Sequence, residues 1–331
     1  MIKVGVVGMG GMGWNHVSQY VKLPGVQVMA IADAVPERLE AREKVKINLD
    51  GVGTPIDFPH VARYPGAEAL IAGADVDVVD ICLPTDLHAP YAVQALESGR
   101  HVLCEKPMAL TAADADRMIA AARAAGRQLM VAHCLRFWPE YRFLRQCIAD
   151  RRYGRLLSLN MWRMGGHPGW AARNWFADPA RSGGMAMDLH IHDVDYVNAV
   201  FGLPDRIYAT ARKSERSQAP DVLHACFEYD DGPQVHMHAG WCAAQIPFEA
   251  GFEAWFDRAM LVYDEWKLTL FDDPEHVAGN PVTVNPGDAY LDEIAYFLRC
   301  VETGTPPDEC LPESTRASVA LVEEELRGAL H

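Results

Sequence analysis

The sequence predicts an α/β chain in two parts: a doubly wound parallel sheet, then an α+β domain with a large, mostly antiparallel open sheet. Three observations point there. Over residues 2–133, short apolar runs alternate with longer amphipathic stretches, the pattern of strands covered by helices on both faces. From 207 to 271 strand follows strand, with turn signals at Asp230-Asp231-Gly232 and Asp272-Asp273-Pro274. A length of 331 residues also exceeds what one simple core organises. The expected domains are 1–133 and 134–331, with the C-terminal helices able to pack back on the first.

In the first part, strands are expected at 2–7, 26–32, 76–83, 101–104 and 128–132. Helices are expected at 12–22, 36–46, 67–72, 89–98 and 112–125. Pro36 suits a first helical turn, while Gly99 and Gly126 suit positions just past helix ends. The stretch 49–60, rich in Gly, Pro and Asp, reads as a loop. In the second part a helix at 139–148 precedes a strand at 156–164 and a loop holding Gly165, Gly166, Pro168 and Gly169. One long helix is expected at 184–201, and two more at 289–302 and 312–330 close the chain.

Composition removes several function classes. A formal net charge of -15 argues against a nucleic-acid surface, which needs clustered Lys and Arg. It does not argue against an anionic dinucleotide, because backbone N–H groups at a helix N-terminus supply a local positive field. The eight cysteines include no Cys-x-x-Cys pair, and several sit in apolar runs such as Val79-Asp80-Ile81-Cys82-Leu83. Reduced thiols in a cytosol are therefore expected, with neither disulfides nor zinc. The first strand begins at Ile2, leaving no stretch for a leader, and no apolar run reaches the ~18 residues of a membrane span. A cytoplasmic protein without membrane contact is the expectation. The strand-rich second domain would expose an apolar face if alone, so a homodimer or homotetramer is expected.

Gly8-Met9-Gly10-Gly11-Met12-Gly13 fits G-x-G-x-x-G between the first strand and a helix, the dinucleotide turn of a Rossmann domain. Gly8 permits the tight turn, Gly10 lets a pyrophosphate approach the backbone, and Gly13 allows close helix–strand packing. Asp33 follows Gly13 by 20 residues, where an acidic side chain meets the ribose 2′-OH. A carboxylate there repels a 2′-phosphate, and Arg38 is the nearest arginine, so NAD is favoured over NADP.

Three further motifs narrow the reading: Leu83-Pro84-Thr85-Asp86-Leu87-His88, Cys104-Glu105-Lys106-Pro107, and Met185-Ala186-Met187-Asp188-Leu189-His190-Ile191-His192-Asp193-Val194-Asp195. With the glycine turn, they make the chain resemble the glucose–fructose oxidoreductase/inositol dehydrogenase (Gfo/Idh/MocA) family over nearly its whole length. The resemblance implies an NAD(P)-dependent dehydrogenase acting on a secondary alcohol of a sugar, cyclitol or related polyol. Gly8, Gly10, Met12, Gly13, Asp33, Pro84, Thr85, His88 and Glu105 would then serve the cofactor, and Lys106, Asp188 and His192 the chemistry. It also implies a cis Lys106–Pro107 bond that points the ammonium into the cleft.

The residues agree with that implication. Ligands of open α/β sheets sit beyond the carboxyl ends of the strands, where Thr85, Glu105 and Lys106 fall. Asp188 and His192 are four apart on an expected helix, so both project from one face. A carboxylate there can orient an imidazole, which titrates near neutrality and suits proton abstraction. The plain alternative is a helix-surface ion pair. Arg163, His167 and His190 are candidate substrate contacts, whereas Trp14, His133 and Arg136 serve equally as structural residues. His190-x-His192 and His236-x-His238 look like ligand pairs, but no third ligand can be placed, so no metal is expected. The segment Phe256-Asp257-Arg258-Ala259 departs from the family, which often has a glycine-containing turn there, and leaves strand register open. Two rival readings remain: an NAD-using glycosidase of the same family, and a dinucleotide-sensing regulator without turnover.

Overall fold

Short β-branched runs separated by helices leave one low-energy arrangement, a parallel sheet with helical crossovers. In the computed structural model, which describes residues 1–40, 60–168, 172–215 and 217–329, the chain forms it as the first of two units. That unit takes in Met1–Cys134 and Tyr290–Arg316. Its strands are β1 (Ile2–Val7), β2 (Val26–Ala32), β3 (Ala62–Tyr64), β4 (Val78–Ile81), β5 (His101–Glu105) and β6 (Leu129–Ala132). They pair in parallel in the order β3-β2-β1-β4-β5-β6, so the winding reverses between β1 and β4.

Helices α1 (Gly11–Tyr20), α2 (Ala67–Gly73), α3 (His88–Glu97) and α4 (Ala112–Ala125) make the crossovers. The ends of α4 show why its bounds are readable. Thr111 Oγ1 accepts the Asp114 N–H at 3.1 Å, and Gly126 closes the helix with φ 61°. The helix expected at 36–46 is a short 3-10 turn, Pro36–Leu39, as far as the described residues reach; the loop expected at 49–60 lies outside them except for His60. Strand β3 was not anticipated. Val4, Val6, Val17, Tyr20, Ile31 and Met130 form the core, with Ile294, Phe297 and Leu298 of α8 (Ala289–Thr303) packed in.

The second unit, Leu135–Ala289 and Ala317–His331, is built on a mixed sheet of eight strands. These are β7 (Leu156–Gly166), β8 (Arg206–Arg212), β9 (Val222–Glu228), β10 (Gln234–Cys242), β11 (Glu249–Phe256), β12 (Met260–Asp264), β13 (Lys267–Phe271) and β14 (Asn280–Pro281), in the order β14-β13-β12-β11-β7-β10-β9-β8. Only β7 and β10 pair in parallel; the other neighbours are antiparallel. One face is apolar and buried, with Leu159, Met161, Leu223, Phe227, Met237 and Phe252 fully or nearly covered. Helices α5 (Pro139–Ala149), α6 (Pro179–Ser182), α7 (Ile191–Phe201) and part of α9 (Pro312–Ala329) belong to this unit. The Tyr141 ring meets Tyr196, Phe252 and Tyr263 edge-on at 5.0, 5.3 and 5.9 Å. At the departing segment, Phe256 N–H donates to Ala259 O at 2.8 Å and the β11–β12 register runs unbroken from Phe252 to Trp255.

The expected helix at 184–201 is not one helix. Gly183 and Gly184 take φ 74° and 68°, Ala186–His190 forms a π-helical turn, and only then does α7 begin. A π turn inserts one residue, so the i, i+4 geometry of an α-helix does not carry through Asp188. Buried ion pairs hold this region. Asp195 binds Arg136 through Nε and Nη2, each at 2.7 Å, and takes the Ser318 hydroxyl at 2.9 Å. His190 Nε2 lies 2.9 Å from Glu325 Oε2, and both side chains are wholly buried.

Burial opposes the charged form of His190, but the charge and hydrogen bond of Glu325 outweigh it and raise its pKa. A raised folded pKa stabilises fully below the unfolded value of about 6.5 and loses that contribution as pH climbs through the folded value. The stability advantage of wild type over Glu325→Gln should therefore be larger near pH ~6 than near pH ~9. Urea unfolding at both pH values measures it; an advantage that does not change with pH would mean a neutral pair.

Candidate functional site

The glycine turn is built on close backbone approach. Gly8 has φ 92°, and a Cβ there would strike the Cys82 carbonyl. A Cβ on Gly13 would sit on the Gly8 carbonyl oxygen, so α1 can reach β1 only through glycine. Gly10 differs: a Cβ there would meet nothing within 4 Å, which leaves its face open for a ligand. Gly10 carries no side-chain cap, and the first N–H groups of α1, at Gly11, Met12 and Gly13, precede its first internal bond at Trp14, which donates to Gly10 O at 3.2 Å. Orphan N–H groups, helix dipole and an open glycine face suit a pyrophosphate. Asp33 at the end of β2 accepts Met9 N–H and Val35 N–H, each at 2.8 Å, and lies 3.5 Å from Arg38 Nη1. The residues fit a dinucleotide.

Across the switch point, Pro84 is half-buried beyond β4, and Thr85 is buried beside it. Lys106 leaves the end of β5 half-buried, and Lys106–Pro107 is cis, the geometry the resemblance implied. His88, expected to serve the cofactor, sits just past Thr85. It is buried, with Nδ1 2.8 Å from Pro107 O and Nε2 2.8 Å from Leu83 O, so its ring lies between two backbone carbonyls. Burial pushes the His88 pKa down. Glu105 is likewise turned inward. Its Oε2 accepts the Lys106 N–H at 3.0 Å, and its Oε1 lies 3.1 Å from His16 Nε2. Burial would raise the Glu105 pKa, but the hydrogen bond and charge of His16 prevail and lower it.

Sequence reasoning missed His16 and Asp80. His16 Nδ1 lies 2.8 Å from Asp80 Oδ2, which also accepts the Tyr20 hydroxyl at 2.9 Å. Among the described residues, His16, Asp80 and Cys82 are the group whose ligand atoms all lie within 4.8 Å, yet hydrogen bonds already join them. The signal was present: a carboxylate inside the apolar run Val78-Val79-Asp80-Ile81 cannot stay there without a partner.

In the second unit, Asp188 and His192 stand out by exposure. Within 184–198 they are half-buried while every other residue is buried. Two of the candidate substrate contacts are committed elsewhere. Arg163 gives Nη2 and Nε to Asp193 at 2.8 and 3.2 Å, and His190 is held by Glu325. A polar side chain aimed inward at a distant partner looks, in sequence, like one aimed at a ligand. His167 is half-buried, with its ring 5.0 Å from that of Trp241. Arg136 is held by Asp195, and His133 is buried. Among the described residues the eight cysteines form no disulfide, and no helix is long and apolar enough to cross a membrane.

A dinucleotide-binding sheet unit joined to a mixed-sheet unit defines a class of oxidoreductase, and comparison names it. Residues 2–133 match the family model described as oxidoreductase family, NAD-binding Rossmann fold, and residues 141–262 match the GFO/IDH/MocA C-terminal domain. The chain belongs to the Gfo/Idh/MocA family and is an NAD(P)-binding oxidoreductase. It is 28% identical to D-xylose 1-dehydrogenase (NADP(+)) 2 of Haloferax volcanii, over 92% of this chain and 90% of that protein. It is 29% identical to myo-inositol 2-dehydrogenase of Thermotoga maritima, again over 92% and 90%. Its fold matches that of aldose-aldose oxidoreductase from Caulobacter crescentus with a TM-score of 0.82 at 19% identity, covering 99% of this chain and 97% of that one.

The two glycines separate folding from binding. Gly10→Ala should melt within about 2 °C of wild type yet bind NAD at least about tenfold more weakly, because its φ of -78° is open to any residue and the methyl enters the ligand's space. Gly13→Ala should lose stability and binding together. Thermal melts and NADH fluorescence titration test both.

Proposed function

We propose that the chain is an NAD-dependent dehydrogenase of a secondary alcohol on a sugar, cyclitol or related polyol. The observation that carries this reading is the half-exposure of Lys106, Asp188 and His192 amid buried neighbours, with Lys106 at the carboxyl edge of the sheet that holds the glycine turn. Gly8, Gly10, Met12, Gly13 and Asp33 would hold the nucleotide, with Pro84 and Thr85 beside them. When bound, NAD supplies the hydride acceptor. His192 takes the proton of the substrate hydroxyl, and Asp188 orients that imidazole. Lys106 donates a hydrogen bond to the reacting oxygen and stabilises its developing negative charge. His167 would contact the polyol.

Two relatives, one named for D-xylose and one for myo-inositol, support a polyhydroxylated substrate. Asp33 favours NAD, since its carboxylate repels a 2′-phosphate. His192→Ala and Lys106→Met should each lower kcat by roughly 10²–10⁴-fold while NAD affinity stays within about threefold. A panel of sugars and cyclitols, D-xylose and myo-inositol included, assayed by NADH absorbance identifies the substrate first. Near-normal turnover by His192→Ala on that substrate sinks the assignment.

The outer face of the eight-stranded sheet supports a homodimer, or a dimer of dimers. Strand register places Trp162, Met164, Tyr208, Val222, Trp255 and Val262 on it, with Tyr208 55% and Trp255 48% exposed. Light scattering at micromolar concentration should give at least twice the chain mass; a monomer refutes this.

A further inference from the structure

Behind Lys106 lies a chain of groups in the first unit that the proposed chemistry does not use. His16 stands on α1, three residues past Gly13, and its ring is wholly buried. Asp80 Oδ2 faces one ring nitrogen at 2.8 Å and Glu105 Oε1 faces the other at 3.1 Å. The far oxygen of Glu105 accepts the backbone N–H of Lys106 at 3.0 Å. Asp80 is held in turn by the Tyr20 hydroxyl and, at 3.6 Å, by Cys82 Sγ. Cys82 Sγ also faces His16 Nδ1 directly, at 3.5 Å, while Lys106 and His88 act on the Glu105 side of this chain and Glu293 on the Tyr20 side.

The protonation of His16 follows from its neighbours. Two carboxylates are acceptors only, so each ring nitrogen needs a proton to meet one. Two carboxylates within 3.1 Å of a buried ring favour its charged form, because each stabilises the imidazolium. The three groups therefore carry one positive and two negative charges. Such clusters do little for stability, because well-packed apolar side chains of the same volume serve as well or better. Their value lies in holding direction.

Resting on the role given to Lys106 above, we propose that His16 is a positioning residue: as an imidazolium bridging Asp80 and Glu105, it clamps the Glu105 carboxylate onto the Lys106 backbone N–H and so fixes where the lysine leaves β5. On the other side of Lys106, the Pro107 carbonyl is pinned by His88. The lysine is thus held through both of its chain neighbours.

The test uses the full-length enzyme with NAD. In 15N-labelled wild type, both imidazole nitrogens of His16 should read as protonated from about pH 6 to about pH 9; a neutral tautomer in that range overturns the proposal. His16→Gln should lower kcat on the panel-identified polyol by about ten- to hundredfold, while NAD affinity and the polyol KM stay within about threefold. The double variant with Glu105→Gln should be no slower than His16→Gln alone, because both act through one chain; additive losses overturn the proposal. A folded His16→Gln enzyme with wild-type kcat overturns it too. Lys106→Met run in parallel separates the two readings: if it keeps its turnover, the role of Lys106 fails, while the nitrogen signals still report the clamp. Should His16→Gln fail to fold, those signals decide alone.

Discussion

The Gly8 carbonyl and the missing side chain of Gly13 set the distance between β1 and α1, and much of the first unit follows from that distance. Any Cβ at position 13 would displace the helix from the sheet. With the helix in place, His16 and Tyr20, one and two turns on, reach across to Asp80 in β4. Through His16 the same helix touches Glu105 at the end of β5. A contact that serves the nucleotide turn therefore also sets the residues around Lys106. The two ends of the candidate site within this unit share one mechanical origin.

Both units bury charge, but they use it differently. On α7, Asp193 and Asp195 each take a bidentate arginine, the geometry in which a planar guanidinium best offsets the loss of solvation. These pairs lock the helix that follows the π turn. In the first unit, one imidazole is shared by two carboxylates, a softer arrangement whose geometry depends on every member. The motif around His192 is thus mostly scaffold: His190, Asp193 and Asp195 hold the backbone, and Asp188 and His192 are the side chains left partly uncovered.

What sequence reveals depends on how local the cause is. The α4 boundaries were legible because Thr111 and Gly126 act on their own helix ends. The parallel sheet was legible because burial on both faces makes strands uniformly apolar. Strand β3 was not, since three residues at a sheet edge carry no periodicity. The π turn was hidden because the apolar spacing of 185–201 also satisfies an α-helix, and only tertiary packing selects the wider turn. Site residues follow the same division. Gly8, Gly13 and Asp33 act on their own turn, through close backbone approach and the Met9 N–H, so a motif reveals them. His190 looked like a pocket residue because its partner, Glu325, lies 135 positions away. Asp80 carried a legible warning, a carboxylate in a buried strand, but its partner on α1 could be seen only in three dimensions.

An acidic chain can still serve an anionic nucleotide because the carboxylates near the turn are engaged by partners where they stand. Asp33 spends its oxygens on two backbone N–H groups, with Arg38 close by. Asp80 and Glu105 share the proton-bearing ring of His16, and Glu105 also takes the Lys106 N–H. Each of these oxygens has a partner close by, so the orphan N–H groups of the first turn of α1 keep their helix-dipole attraction for an anion despite a net charge of -15. Solvent screens the distant surface carboxylates within about 10 Å, so groups inside that radius decide what binds. By this argument Arg38, which lies 3.5 Å from Asp33, matters to nucleotide affinity although it need not touch the ligand.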